Sequence, residues 1–395
     1  MAGAVARDRG PAGGAGPRPR PRGARRRRLT GLAGGVTGGC LRRWGASAGG
    51  CLGRVGCDDL GGDVQLGIGI SEDLPVAVQQ RLAADVEGAG FRSLWTNEAS
   101  GRDALLLCQA WAAATTTLEV GVGVVPLWTR SAAQLAMACA TLQEASGGRF
   151  LLGLGVSHPA TMGPWHGAEV VRPRTAARET LEVLRQLEAG ETSAVDGEVR
   201  GSRRFRLRIS PTPPPTRCYL AAMGPRMLEL AGTDAHGVLL NWCGPAEVAR
   251  AAATVRDAAE GAGRRGADVE VATYVRVAVD PDREAARAAL AREIAQYAAL
   301  PAYAAHFERQ GFGGAVERVK EAHRDGADDA AKADALGEEA LTALGWYGTP
   351  SDDPGDALAA HRDAGLDHLV ARVVVVGDDP VASIHTVTRA LDAHT

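Results

Sequence analysis

Residues 118–156 read LEVGVGVVPLWTRSAAQLAMACATLQEASGGRFLLGLGV, and this stretch decides the fold. Two nearly continuous apolar runs, 118–127 and 149–156, enclose a helical pattern over 131–146. Apolar runs of this kind are typical of parallel strands that are buried on both faces, because a crossover helix covers the sheet. The stretch therefore predicts a β–α–β unit within a parallel sheet.

The same alternation continues on both sides of this unit. Further strands are predicted at 64–70, 92–97, 218–223, 237–242, 269–280 and 368–376. Helices are predicted at 75–90, 103–116 and 175–190, and a long helical region at 282–345. A doubly wound sheet usually has about five or six strands. The eight strands counted here instead predict an α/β fold of the (β/α)8 TIM-barrel type.

A polar segment at 191–216 interrupts the pattern after the fourth strand and contains a run of prolines. We expect it to form a surface hairpin, inserted before the alternation of strands and helices resumes. Residues 64–395 are thus predicted to form one barrel domain that carries an insertion.

The first 63 residues have a different composition, rich in Arg, Gly and Pro, with twelve Arg against four Asp. Such a segment cannot bury enough apolar surface to offset its ordering entropy, which predicts a disordered extension. Three interpretations of it remain open: a segment upstream of a natural start at Val64, a targeting signal, or a nucleic-acid contact. Because the arginine cluster at 18–28 contains no aromatic residue and no known binding module accompanies it, no nucleic-acid partner is predicted.

The overall composition is that of a soluble globular enzyme, with 395 residues, 23% charged residues and a net charge of −3. The seven cysteines occur singly, without a CxxC pair, so no structural metal is predicted and a reducing cytoplasm is expected. No apolar run approaches the roughly 20 residues that cross a bilayer, so no membrane partner is predicted.

Active sites of such barrels lie at the carboxyl ends of the strands. Glu98 follows the second strand and is a candidate acid or base, or else a solvated carboxylate. His158 follows the fourth strand and is a candidate proton donor, or else a structural loop histidine. Gly224 and Pro225 open an apolar helix, where free amides, the helix dipole and Arg226 would favour a phosphate.

These strand-end segments, in this order, resemble the luciferase-like monooxygenase superfamily, and within it the coenzyme F420-dependent reductases related to methylenetetrahydromethanopterin reductase. The segments that carry the resemblance are GFRSLW (90–95), the stretch 112–156, CYLAAMGPRMLELAGTDAHGVLLNW (218–242) and DAGLDHLVARVVVVGDDP (363–380). The resemblance covers nearly all of 64–390 and implies a flavin-type cofactor.

The resemblance also implies roles for individual residues. The third strand would contain a bulge with a cis peptide between Gly123 and Val124, which backs the deazaflavin ring. The other cofactor contacts implied are Ser157 and His158, with Thr161 further out, and Gly224, Arg226 and Met227 at the phosphate and side chain. The substrate contacts implied are Asn97, Asn241 and Trp242, the last two flanking the substrate entrance.

One position departs from the family pattern. Ala99 stands where the family often has a histidine, so a proton donor would have to be Glu98 or His158. The expected activity is hydride transfer between coenzyme F420 and a small organic substrate, by a homodimer. Two alternatives remain: an FMN-dependent monooxygenase on the same barrel, and a barrel that has lost catalysis and only binds.

Overall fold

The computed structural model describes residues 64–395, so every prediction for residues 1–63 lies outside the described residues. The strands of this part are β1 Gln65–Gly69, β2 Ser93–Thr96, β3 Glu119–Pro126, β4 Phe150–Gly155, β5 Ala194–Val195, β6 Ser202–Arg203, β7 Arg217–Ala221, β8 Gly237–Asn241, β9 Glu270–Val279, β10 Gly345–Gly348 and β11 His368–Val373.

The α-helices of the same range alternate with these strands. They are α1 Val76–Gly88, α2 Ala104–Ala114, α3 Ala132–Ser146, α4 Pro159–His166, α5 Pro173–Glu188, α6 Pro225–Asp234, α7 Pro245–Gly261, α8 Arg283–Ala298, α9 Pro301–Phe307, α10 Gly313–Arg324, α11 Asp329–Asp334, α12 Glu338–Leu344, α13 Gly355–Asp363 and α14 Pro380–Leu391. None of the helices within 64–395 is long and apolar enough to cross a membrane.

Eight parallel strands close into a ring. Their order around the ring is β1-β2-β3-β4-β7-β8-β9-β11, and β11 pairs again with β1. This confirms the predicted (β/α)8 TIM barrel. The end of the barrel at which these strands have their carboxyl ends is called the mouth below.

The two strands β5 and β6 pair antiparallel, as a surface hairpin within the predicted insertion. The carboxylate of Glu179 on α5 holds the hairpin turn, because it accepts hydrogen bonds from the amides of Glu198, Val199 and Arg200 at 2.8, 3.0 and 2.7 Å.

Two elements differ from the sequence prediction. The region predicted as helical up to residue 345 ends in the additional strand β10, which pairs with residues 276–279 of β9. β9 has ten residues and β8 only five, so the last part of β9 extends past β8 and remains free to pair with β10. The second difference is α4, which forms where a loop was expected after β4.

Local signals explain why the helix of the deciding stretch begins and ends where it does. The Ser131 hydroxyl accepts a hydrogen bond from the amide of Gln134 at 3.1 Å and caps α3. Gly147 follows the helix with φ of 65° and Gly148 with φ of 90°. Such left-handed backbone conformations favour glycine, which is why the helix ends in a Gly–Gly pair.

A largely buried polar cluster lies at the end of the barrel opposite the mouth. Arg92 lies 2.9 Å from Glu119 and 3.0 Å from Glu270, and His368 bridges Glu270 at 3.1 Å and Ser93 at 2.8 Å. Burial alone would raise the pKa of Glu270, but the hydrogen bond to His368 and the charge of Arg92 lower it well below its usual range. Glu270 is therefore an ionised carboxylate that is paired within the cluster, consistent with a structural role.

Candidate active site

The β3 strand carries a bulge at the mouth. Its pairing with β4 shifts register between Val122 and Val125, and the Gly123–Val124 peptide is cis, which is the backbone geometry that the resemblance implied. A Cβ on Gly155 of β4 would overlap the side chain of Val124. Strand β4 therefore needs glycine at position 155, where the bulge lies against it. This accounts for the second glycine of the sequence 153–155, Gly–Leu–Gly.

Gly123 is crowded from inside the barrel. A Cβ at this position would overlap the hydroxyl oxygen of Tyr274 and would lie 2.6 Å from Cδ2 of Leu239. Gly123 and Val124 are themselves half-buried, at the wall of the mouth. The side chains that require glycine at position 123 are thus those of the barrel interior.

Asn97, at the end of β2, links two charged side chains that sequence reasoning missed. Its Nδ2 donates to Glu72 Oε2 at 2.7 Å, and its Oδ1 accepts from Arg372 Nη2 at 2.9 Å. Glu72 is only 3% exposed although it follows β1 in a polar segment. The one signal for Arg372 was a charge interrupting the apolar run of β11. The predicted substrate contact Asn97 is therefore held in a fixed orientation by a buried acid and a cation.

Glu98 is bound by a cation. Arg130 Nη1 lies 2.5 Å from Glu98 Oε1, and Arg130 Nη2 lies 2.7 Å from Asp103 Oδ2. Burial would lower the pKa of Arg130, but these two carboxylates raise it overall. Glu98 is therefore engaged by a cation, and its role as an acid or base stays a prediction.

Beyond β4 the chain turns sharply and starts α4. Ser157 is exposed, with φ of 60°, and His158 caps the helix because its Nδ1 accepts from the amide of Ala160 at 3.2 Å. In the neutral ring the proton is then on Nε2. Thr161 donates from its hydroxyl to the His158 carbonyl at 2.9 Å. His158 thus has a capping role that sequence reasoning did not identify.

The segment after β7 has the form expected of an anion site. Gly224 caps α6 and Pro225 occupies its first turn, while the amides of Met227 and Leu228 both donate to the Gly224 carbonyl at 3.1 Å. Arg226 is exposed at this helix terminus. The positive end of the helix dipole and the guanidinium would act together on a phosphate.

Asn241 and Trp242, at the end of β8, lie in different surroundings. Asn241 remains at the mouth, where its Oδ1 accepts from Arg276 and its Nδ2 donates to Tyr303 at 3.3 Å. Trp242 is fully buried, with the Arg276 guanidinium 3.7 Å from its ring centroid and Tyr297 at 4.9 Å. The indole packs into the core formed with α8 and α9, away from the surface of the mouth, and its predicted role toward the substrate stays a prediction.

Three buried side chains near the mouth have the composition of a metal site. Ligand atoms of Cys243, Glu247 and His306 lie within 4.8 Å of one another. However, Arg309 donates to His306 Nδ1 at 3.2 Å, which places the proton on Nε2, where it faces the Trp242 carbonyl at 3.1 Å. Both carboxylate oxygens of Glu247 also bind Arg250. The three groups are satisfied by protein partners, so their protonation does not suit metal ligation.

A separate groove of about 500 Å³ lies away from the mouth, between the carboxyl ends of α5 and α6. Pro213, His236 and Arg264 are among its lining residues, and they lie at the barrel end where β7 and β8 begin. It contains none of the predicted site residues.

Family models and relatives agree with this architecture. The model of the luciferase-like monooxygenase family matches residues 61–380. The chain belongs to this family. Over 316 residues it is 32% identical to a 5,10-methylenetetrahydromethanopterin reductase of Methanolobus tindarius, with 75% of this chain and 90% of that protein covered. Over 276 residues it is 31% identical to a putative coenzyme F420-dependent oxidoreductase of Mycobacterium tuberculosis, with 63% of this chain and 78% of that protein covered.

Among solved structures, the coenzyme F420-dependent tetrahydromethanopterin reductase of Methanopyrus kandleri superposes with a TM-score of 0.71 at 26% identity, over 83% of this chain and 98% of that one. The predicted membership of the family, its coenzyme F420-dependent branch and the prediction of an oxidoreductase are confirmed. The roles of the individual site residues stay predictions.

Proposed function

We propose that this family member is a coenzyme F420-dependent oxidoreductase that transfers a hydride between the deazaflavin and a small organic substrate. The observation that carries the proposal is the half-buried Gly123–Val124 bulge at the mouth. The bulge presents backbone at the wall of the mouth, and a wall of backbone suits a planar ring. The relatives at 31–32% identity, which are named as F420-dependent oxidoreductase or as methylenetetrahydromethanopterin reductase, support the choice of cofactor.

The residues of the mouth fit such a cofactor. Gly123 and Val124 would back its ring, and the start of α6, with Gly224, Arg226 and Met227, would bind its phosphate. Ser157 and His158 would lie along it beyond β4. The bound deazaflavin supplies the hydride chemistry. The protein's part is to orient the two reactants and to exclude water from between them.

On the substrate side, Asn97 and Asn241 would contact the substrate through their amides. If the reaction requires a proton, we propose Glu72 as a second candidate donor beside Glu98, which is paired with Arg130. Glu72 is buried and its observed polar side-chain partner is a neutral amide.

An FMN-dependent monooxygenase remains the second candidate, because the matching family model is that of luciferase-like monooxygenases. The two functions differ in how the reduced cofactor reacts with oxygen. Reduced deazaflavin that is bound to the protein should be stable in air. It should be reoxidised only when a substrate is added. We expect this substrate among small compounds with an electrophilic carbon. If reduced FMN bound to the protein were rapidly reoxidised by oxygen, and the substrate were oxygenated at the same time, the monooxygenase would be supported instead.

We also propose that the enzyme is a homodimer. Leu106 on α2 is 71% exposed and Met137 on the neighbouring α3 is 52% exposed, which leaves apolar surface available for a partner copy. Light scattering should give the mass of a dimer, and Leu106→Glu should shift it toward the monomer. A monomeric wild-type protein would rule the proposal out.

A further inference from the structure

Tyr274 lies at the top of the barrel interior, directly behind the bulge. Its ring packs edge-on against Trp95, with 6.4 Å between ring centroids, and the residue is 8% exposed. The hydroxyl occupies the space that a Cβ on Gly123 would need. In the barrel register Tyr274 is opposite Asn241, the last residue of β8, so its ring belongs to the uppermost layer of the interior.

The hydroxyl of Tyr274 has no hydrogen-bond partner among residues 64–395, and it is not sealed from solvent. Tyr219, one layer deeper in the same interior cluster, has a hydroxyl that is fully enclosed. Neither phenol has a hydrogen-bond partner among the described residues, so the two tyrosines differ only in access: the Tyr219 hydroxyl is closed off within the barrel, whereas the Tyr274 hydroxyl is open to a molecule at the mouth. An unmade hydrogen bond on a largely buried residue calls for a partner, either water or a ligand.

The surroundings of Tyr274 keep the phenol protonated. Burial raises its pKa well above the usual range, and the nearby cations Arg372 and Arg276 only partly oppose this. At neutral pH the hydroxyl therefore carries its proton and can donate it in a hydrogen bond. The acceptor must be a group that enters the mouth beside Gly123.

We propose that the Tyr274 hydroxyl donates a hydrogen bond to a polar atom of the bound deazaflavin ring and so sets its position against the bulge. This inference rests on the proposed function, since it requires the deazaflavin to occupy the mouth. Tyr274 is then a positioning residue: its proton stays on the phenol, and no bond is made or broken.

The test compares Tyr274→Phe with the matched control Tyr219→Phe. Each substitution removes one hydroxyl from the same barrel interior, but only the first removes a hydroxyl that is open to the mouth. Thermal unfolding of the wild type and both variants establishes that they are folded. Coenzyme F420 is then titrated into each protein while its fluorescence and visible absorption band are recorded.

A neutral hydrogen bond to the ring predicts about five- to tenfold weaker binding of coenzyme F420 by Tyr274→Phe. The absorption maximum of the bound cofactor should also shift relative to the wild type, which a purely structural residue would not cause. Tyr219→Phe should keep both the affinity and the absorption maximum. Equal affinity and an unchanged spectrum in Tyr274→Phe would overturn the inference while leaving the proposed function intact. Failure of the wild-type protein to bind coenzyme F420 would overturn both.

Discussion

Arg130 Nη1 lies 2.5 Å from Glu98 Oε1, and the two side chains are only 14% and 13% exposed. Removing one member of such a pair leaves a largely buried charge without its partner. We therefore expect Arg130→Met to lower the free energy of unfolding by about 3 kcal/mol. In urea denaturation, the double variant Arg130→Met with Glu98→Gln should have a higher free energy of unfolding than Arg130→Met alone.

An exposed pair provides the matched control. Arg185 pairs with Glu182 on the surface of α5, and its side chain is 61% exposed. Arg185→Met should change the free energy of unfolding by no more than about 1 kcal/mol. If Arg130→Met were equally mild, the stability of the fold would not depend on the pair between Arg130 and Glu98.

Glu72 gives a prediction about the reaction itself. If it provides a proton, Glu72→Gln should slow substrate-dependent oxidation of the reduced deazaflavin by about 100-fold or more, since that is a common contribution of general acid catalysis. Affinity for the cofactor should be nearly unchanged. Glu98→Gln should retain most of its activity. If Glu98→Gln lost more activity than Glu72→Gln, Glu98 would be the proton donor instead.

Gly123 can be tested by adding a single methyl group. Gly123→Ala would place a Cβ against the Tyr274 hydroxyl and 2.6 Å from Leu239, so the interior must shift to admit it. Overpacking of this kind costs about 1–3 kcal/mol of stability, and displacement of the bulge should weaken cofactor binding as well. Gly88→Ala, in α1, is the control: nothing lies within 4 Å of the new Cβ, and a gain in helix stability is expected. Equal melting temperatures for the two variants would contradict the crowding at Gly123.

Glu87 should make stability depend on pH in the acid range. Burial would raise its pKa, but hydrogen bonds from the amides of Thr117, Leu118 and Thr116 outweigh that and lower it to about 2. Because the pKa is lower in the folded state, this contribution is complete above about pH 4.5 and is lost as the pH falls toward 2. Denaturation at pH 5 and pH 3 should therefore show a smaller loss of stability for Glu87→Gln than for the wild type. An identical loss in both proteins would exclude this role.

The parts of the structure that sequence could predict are those fixed by local pattern. Apolar runs and helix caps located the eight barrel strands to within one to three residues. The position of the bulge came from the resemblance, since nothing in the run of small apolar residues around Gly123 distinguishes a bulge from an ordinary strand. β10 was missed because its pairing depends on β9 extending past β8, which is a property of three strands together.

The candidate site shows the same limit. Asn97 and Glu98 are neighbours in sequence, but their partners Arg372 and Arg130 come from other strands and loops. Whether Glu98 is a free acid or half of an ion pair is therefore a question of tertiary structure. Trp242 was assigned to an entrance by the resemblance, whereas the aromatic and cationic side chains of α8 and β9 bury it.

Parallel equilibrium titration of the purified protein with coenzyme F420 and with FMN tests the central claim most directly. The account predicts saturable, micromolar-range binding of coenzyme F420, at least about tenfold tighter than any binding of FMN, a difference of about 1.4 kcal/mol. Tighter binding of FMN than of coenzyme F420 would contradict the account and identify the protein as a flavin enzyme. Binding of neither cofactor would contradict it as well, and would favour a barrel that has lost catalysis.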